Sequence, residues 1–174
     1  THEGGVHVPC IVHWPAGIKA RGELRHAPAH VIDFVPTALE VAGAQKPKEW
    51  KGEAVPDAPG RSLLPAFAAD VPLPRDSLWW LHEGHRAVRV GDWKLQVNER
   101  PPGTAWLFNL REDPTEQTNL ASREPERVAE LRRALAEHNA EQAEPSWPAL
   151  VEMPVSVDKT LAVDATVVVF TPTR

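Results

Sequence analysis

The chain has 174 residues, a formal net charge of −5 and 42% hydrophobic residues, which fits one domain, or one domain plus part of another. Acids and bases are mixed along it with no basic run to meet a phosphate backbone, which argues against nucleic acid, and no apolar run approaches a membrane span. The single Cys excludes an internal disulfide framework and leaves the cellular compartment open.

Thr1-His2-Glu3-Gly4-Gly5 leads straight into Val6 to Trp14. No initiator Met or signal segment precedes it, so the sequence reads as starting within something larger. Val6, Val8, Cys10, Val12 and Trp14 alternate with His7, Pro9, Ile11 and His13, the period-two pattern of a strand, with Pro9 confining regular pairing to one part or to an edge. Cys10 in that alternation reads as a small buried structural side chain. A polar loop from Lys19 to Pro28 follows. Val31 to Gly43 predicts a short helix, with Asp33 as N-cap, Pro36 in the first turn and Gly43 at the C′ position. Being apolar nearly all round, that helix is expected to be buried on more than one side. Gln45 to Pro59 reads as an ordered loop covering Trp50, and Gly60 to Phe67 as a helical turn at best.

Ser77 to Leu110 holds four of the seven Trp residues: Trp79, Trp80, Trp93 and Trp106. Its β-prone runs are Leu78 to Leu81, Ala87 to Val90 with Trp93 to Val97, and Ala105 to Leu110. They are separated by Glu83-Gly84, Gly91-Asp92 and Pro101-Pro102-Gly103, which predicts an antiparallel meander. Alternation such as Trp93, Leu95 and Val97 against Lys94, Gln96 and Asn98 implies one buried face and one polar face. Val128, Leu131, Leu135 and His138 recur at helical spacing within Ser122 to Glu144, the stripe of an amphipathic helix laid on the Trp-bearing face. Ser122 is the expected N-cap, with Pro125 in the first turn and Pro145 and Pro148 stopping the helix. Trp147 to Asp158 reads as irregular, and Thr166 to Phe170 as a buried strand or exposed edge.

His82-Glu83-Gly84-His85 is not the H-E-x-x-H of a zinc helix, since the second His comes one residue early. His26 and His30 have i,i+4 spacing but lie in a loop around Pro28. Neither pair has partners at ligand spacing, so no self-contained metal site is expected. His82, Glu83, His85 and Arg86 are the sharper cluster: two imidazoles, a carboxylate and a guanidinium at a tight turn, suited to an anionic or polyhydroxylated ligand. The plainer alternative is a polar hairpin turn that solvates the end of the sheet.

Six segments, in order, resemble the sulfatase family. Glu3-Gly4-Gly5-Val6-His7-Val8-Pro9 with Trp14-Pro15-Ala16-Gly17-Ile18 is similar to E-G-G-x-x-x-P … W-P-x-G-I. His30-Val31-Ile32-Asp33-Phe34-Val35-Pro36-Thr37 resembles the H-x-x-D-hydrophobic-hydrophobic-P-T helix, and Gly60-Arg61-Ser62-Leu63-Leu64-Pro65 the G-x-S-L-L-P turn. His82 to Arg89, Gly91 to Leu95, and Leu107-Phe108-Asn109-Leu110 … Asp113-Pro114 … Glu116 … Asn119-Leu120 follow the carboxy-terminal subdomain.

The arylsulfatase type is the best match. The resemblance implies an α+β fold: a small antiparallel sheet with a long amphipathic helix packed on it, preceded by a strand and helix at the edge of a larger α/β, alkaline-phosphatase-like domain. Residues 1–70 would complete that large domain and residues 71–174 form the carboxy-terminal subdomain. It also implies sulfate-ester hydrolysis by a formylglycine nucleophile beside a divalent cation, usually calcium. The nucleophile arises from C-x-P-S-R or S-x-P-S-R. Cys10 is followed by Ile11, Val12 and His13, so formylglycine and calcium are expected upstream and no catalytic residue or metal ligand in this chain. The resemblance thus makes the chain a carboxy-terminal portion that reaches its sulfate-ester substrate through the full-length enzyme and an upstream sulfatase domain. Its substrate-pocket candidates are His82, Glu83, His85, Arg86 and His2. The rival reading is a free-standing binding or structural module that reuses this subdomain without hydrolysis.

Overall fold

The period-two region folds as its alternation requires. In the computed structural model, which describes residues 1–82, 84–99 and 102–143, strands β3 (Leu78–His82), β4 (His85–Val90), β5 (Trp93–Glu99) and β6 (Pro102–Asn109) form one sheet in sequence order. β4 and β5 pair antiparallel with Val88 opposite Leu95, and β5 and β6 with Leu95 opposite Leu107. Gly91, at φ +58°, makes the tight turn between β4 and β5, a backbone shape glycine adopts without a Cβ clash. Helix α4 (Pro125–Ala140) lies against β4 and β5. Val88, Leu95, Leu107, Leu131 and Leu135 form the centre of that layer, ringed by Trp79, Val90, Trp93, Val97, Ala105 and Val128. His138, the last member of the predicted stripe, stacks on Trp79 with ring centroids 4.2 Å apart.

This is the expected α+β layer, with three local corrections. The helix is capped at Glu124 rather than Ser122, so Pro125 falls at its start, where the missing N–H costs nothing. The four Trp residues do not share a face. Trp79 and Trp93 flank the helix side, whereas the Trp80 ring lies 5.3 Å from the Lys94 ammonium and Trp106 lines a cleft. The face read as polar is not solvated either: Lys94 and Gln96 are buried. The end of the predicted helix at Glu144, Pro145, Pro148, the Trp147 to Asp158 segment and the Thr166 to Phe170 strand lie outside the described residues.

The chain divides into two compact units, Thr1–Val8 with the sheet and helix from Trp79, and Pro9–Leu78. In the first, Glu3–Val6 forms a short helix, α1. The predicted strand from Val6 to Trp14 is therefore corrected. Residues 7–14 pair with no strand among the described residues, because alternation fixes a face but supplies no partner backbone. Ile11 is 94% exposed and Cys10 is exposed, not the buried thiol the pattern suggested.

In the second unit a 3₁₀ turn (Val31–Asp33) runs into α2 (Phe34–Val41), closed by Gly43 at φ +61°. Asp33, expected to cap the helix, instead completes a capping box with His30 one turn earlier. α3 (Leu64–Ala68) supplies Ala66 to a small cluster with Leu63 and Leu73. Gly60 is obligatory here, since a Cβ would sit 2.1 Å from the Ile32 carbonyl oxygen. The expected burial of α2 on several sides is not seen. Val31, Phe34, Val35 and Val41 are exposed and only Thr37 is buried. The predicted loop around Trp50 forms a small hairpin of β1 (Glu49–Trp50) and β2 (Glu53–Ala54), with Trp50 exposed.

Candidate functional site

The second face of the sheet is built on charge. Lys94 projects from β5 opposite the helix side and is fully buried. Its ammonium lies 2.6 Å from Glu3 Oε1 and 3.0 Å from Glu116 Oε1. A lone buried ammonium would be prohibitive, and two carboxylates with an aromatic face make it tenable. Glu116 comes from the turn after β6 and holds a left-handed φ of +57°, unusual for a residue with a Cβ. Both its oxygens are used. Oε1 accepts from Gln96 Nε2 at 2.8 Å, and Oε2 accepts from the Glu3 backbone N–H at 2.7 Å and meets His2 Nδ1 at 3.0 Å. Burial pushes the Glu116 carboxyl pKa up, but the hydrogen bonds from His2, the Glu3 amide and Lys94 outweigh it and hold it at about 2.

This buried floor carries the wall of a cleft of about 270 Å³, lined by Thr1, His2, His82, His85, Gln96, Val97 and Trp106. Three of the five sequence-predicted site residues, His2, His82 and His85, therefore meet in one place. His82 ends β3 and His85 begins β4 across the tight turn, while His2 arrives from the other end of the chain, fixed by Glu116. Arg86 is partly buried on β4 and does not line the cleft, and Glu83 lies outside the described residues. Sequence reasoning missed Lys94, Gln96, Trp106 and Glu116 as parts of the site. Lys94 and Glu116 both fall in the family-like segments, but Lys94 sits on the alternate positions of β5, which are read by default as a solvated face.

The second unit holds a comparable knot. Asp33, fully buried, accepts from the His30 and Arg61 backbone N–H groups at 2.7 and 2.8 Å and from Arg75 Nη2 at 2.6 Å. Thr37 Oγ1 donates to the Asp33 carbonyl and accepts from the Leu63 N–H, which ties α2 to the start of α3. The residues singled out in the second and third motifs thus hold each other in place.

The motif order that suggested a family has independent support. Residues 1–44 match the model of the family described as Sulfatase. An uncharacterized sulfatase of Schizosaccharomyces pombe is 31% identical over 134 residues, covering 74% of this chain and 24% of the relative. The chain is a relative of the sulfatases. Arylsulfatase K of Gallus gallus is 31% identical over 149 residues, covering 77% and 26% of the respective chains. The sulfatase relative thus spans about a quarter of the length of these proteins. Its fold matches a protein solved in complex with its substrate D-glucosamine-2-N,6-O-disulfate, with TM-score 0.56 and 24% identity over 75% of this chain and 27% of that one. Among the described residues of the sulfatase relative, no three His, Cys, Asp or Glu side chains converge as a metal site. No helix among them is long and apolar enough to cross a membrane.

Proposed function

We propose that the whole protein is a sulfuric ester hydrolase of arylsulfatase type, in which this chain supplies structure and part of the rim of the substrate pocket, not the nucleophile. The observation that carries this reading is the convergence of His2, His82 and His85 with Trp106 on one cleft above a buried charged floor. A sulfate ester offers anionic oxygens and an alcohol portion. Imidazoles donate to the first or accept hydroxyl hydrogens from the second, and an indole face covers apolar surface. The contribution is orientation of the ester, not cleavage of its S–O bond.

Calcium and formylglycine, in this reading, belong to the upstream sulfatase domain. The residues here do not suit either role: the described carboxylates do not cluster as ligands, and Cys10 lacks the x-P-S-R context. The isolated 174-residue chain should therefore not turn over an aryl sulfate above buffer. In the full-length enzyme, His82→Ala and His85→Ala should change kcat/KM by unequal factors across different sulfate esters. Near-wild-type values on every ester would leave this turn a solvated hairpin and remove the rim assignment.

A further inference from the structure

The position of Glu116 constrains the ring of His2 more tightly than the cleft alone requires. His2 Nδ1 has two neighbours, Glu116 Oε2 at 3.0 Å and Gln96 Nε2 at 3.2 Å, and they ask for opposite protonation. A bare Nδ1 could accept from Gln96, but would then point a lone pair at a carboxylate oxygen 3.0 Å away. A protonated Nδ1 donates to that carboxylate instead. The Gln96 amide has another acceptor, Glu116 Oε1 at 2.8 Å, so it loses nothing. A hydrogen bond to an ionised acceptor is roughly twice as strong as a neutral one, so the carboxylate decides. Lys94 anchors the same carboxylate from its other oxygen at 3.0 Å, and the Glu3 amide fills its remaining direction. His2 Nε2 makes no hydrogen bond among the described residues, while the ring lines the cleft and is about half exposed.

We propose that Glu116 is a positioning residue that fixes His2 as the Nδ1–H tautomer, so that neutral His2 offers Nε2 to the cleft as a hydrogen-bond acceptor for a hydroxyl of the bound ester. Lys94 and Gln96 act one step behind it, by holding Glu116 in register. The hydroxyl assignment rests on the rim reading above. The tautomer does not.

Long-range ¹⁵N–¹H correlation on the labelled chain, at alkaline pH where imidazoles are neutral, reads the tautomer directly. The expected result is a His2 ring with Nδ1 protonated and Nε2 carrying the unprotonated-nitrogen signal. An Nε2-protonated or mixed ring in the wild-type chain overturns the proposal, and this measurement needs no variant to fold. Glu116→Ala sharpens it. Without the carboxylate, the remaining neighbour of Nδ1 is the Gln96 amide, a donor that has also lost its acceptor Glu116 Oε1, so the ring should invert to Nε2–H. An unchanged tautomer in a folded Glu116→Ala chain shows that the carboxylate is not what fixes the ring. Titration of the full-length enzyme with D-glucosamine-2-N,6-O-disulfate should then move the Nε2 signal, and inorganic sulfate should not. An Nδ1–H ring left unmoved at a sugar concentration that saturates the full-length enzyme overturns the hydroxyl role and the rim reading while upholding Glu116 as the positioning residue.

Discussion

Asp33 in one unit and Glu116 in the other are both buried carboxylates, each met by backbone N–H and by a cation, yet they do different work. Asp33 is held by two loop amides and by Arg75, a permanently charged side chain at the edge of a second cleft. Glu116 spends one oxygen on Lys94 and Gln96 and directs the other at His2, whose ring opens on the cleft. A buried carboxylate is therefore not by itself a mark of a working site. What sets Glu116 apart is that its partner is an imidazole, whose tautomer the carboxylate can fix, opening on a cleft. The surroundings differ as well. The layer under α4 encloses its aliphatic residues almost completely, whereas α2 leaves Phe34, Val35 and Val41 exposed.

The sharpest way to break this comparison is to remove the cation from the busier centre. Lys94→Met leaves Glu3 and Glu116 facing each other without a counter-charge, and should cost about 3–5 kcal/mol in urea unfolding, the usual range when one partner of a buried pair is lost. A loss below about 1 kcal/mol would mean that water already reaches these carboxylates. Leu131→Ala, under the sheet, should cost about 2–5 kcal/mol. A change below about 0.5 kcal/mol, typical of surface sites, would sink the packing of α4 on β4 and β5.

The pH profile probes the Glu116 centre next. Because the Glu116 carboxyl is held at about 2, below its ordinary 4.5, the unfolded chain takes up the proton first as the pH falls. Its stabilisation is complete above about 4.5 and is lost as the pH drops towards 2. Glu116→Gln should flatten that part of the curve, and an unchanged acid limb would assign it to other carboxylates. The smallest effect belongs to the exposed helix. Phe34→Ser should move stability by no more than about 0.5 kcal/mol, and a larger loss would show that this face is covered in solution.

The sheet and α4 were legible because periodicity reports which face a residue occupies, and Leu95, Leu107, Leu131 and Leu135 all obey it. The charged centre was not, because its partners are brought together by tertiary structure. Glu3 lies 91 positions from Lys94, and nothing near Lys94 distinguishes a buried lysine from a solvated one. The same blindness explains Val6 to Trp14, where the alternation is present but no strand pairs with it. His82 and His85 were found through their turn. His2 was marked only by its place beside Glu3-Gly4-Gly5, and its tie to Glu116 spans 114 positions.

Asn119 bears on a different hazard. Its side chain accepts from the Leu107 N–H at 3.0 Å and donates to the Ala105 carbonyl at 3.1 Å, while the Leu120 N–H reaches the Leu107 carbonyl at 2.8 Å. Those are the groups with which the outer margin of β6 would recruit another chain. A carboxamide carries one donor and one acceptor side by side, as a peptide group does, so Asn119 imitates one residue of a fifth strand that cannot be extended. The sheet is thereby terminated on that side, and the Arg132 guanidinium takes the Gly103 carbonyl of the same strand at 3.0 Å, so edge-to-edge growth is blocked there. Asn119→Ala would reopen it, and the consequence to look for is fibrillar or dimeric self-association at high protein concentration rather than a lower melting point.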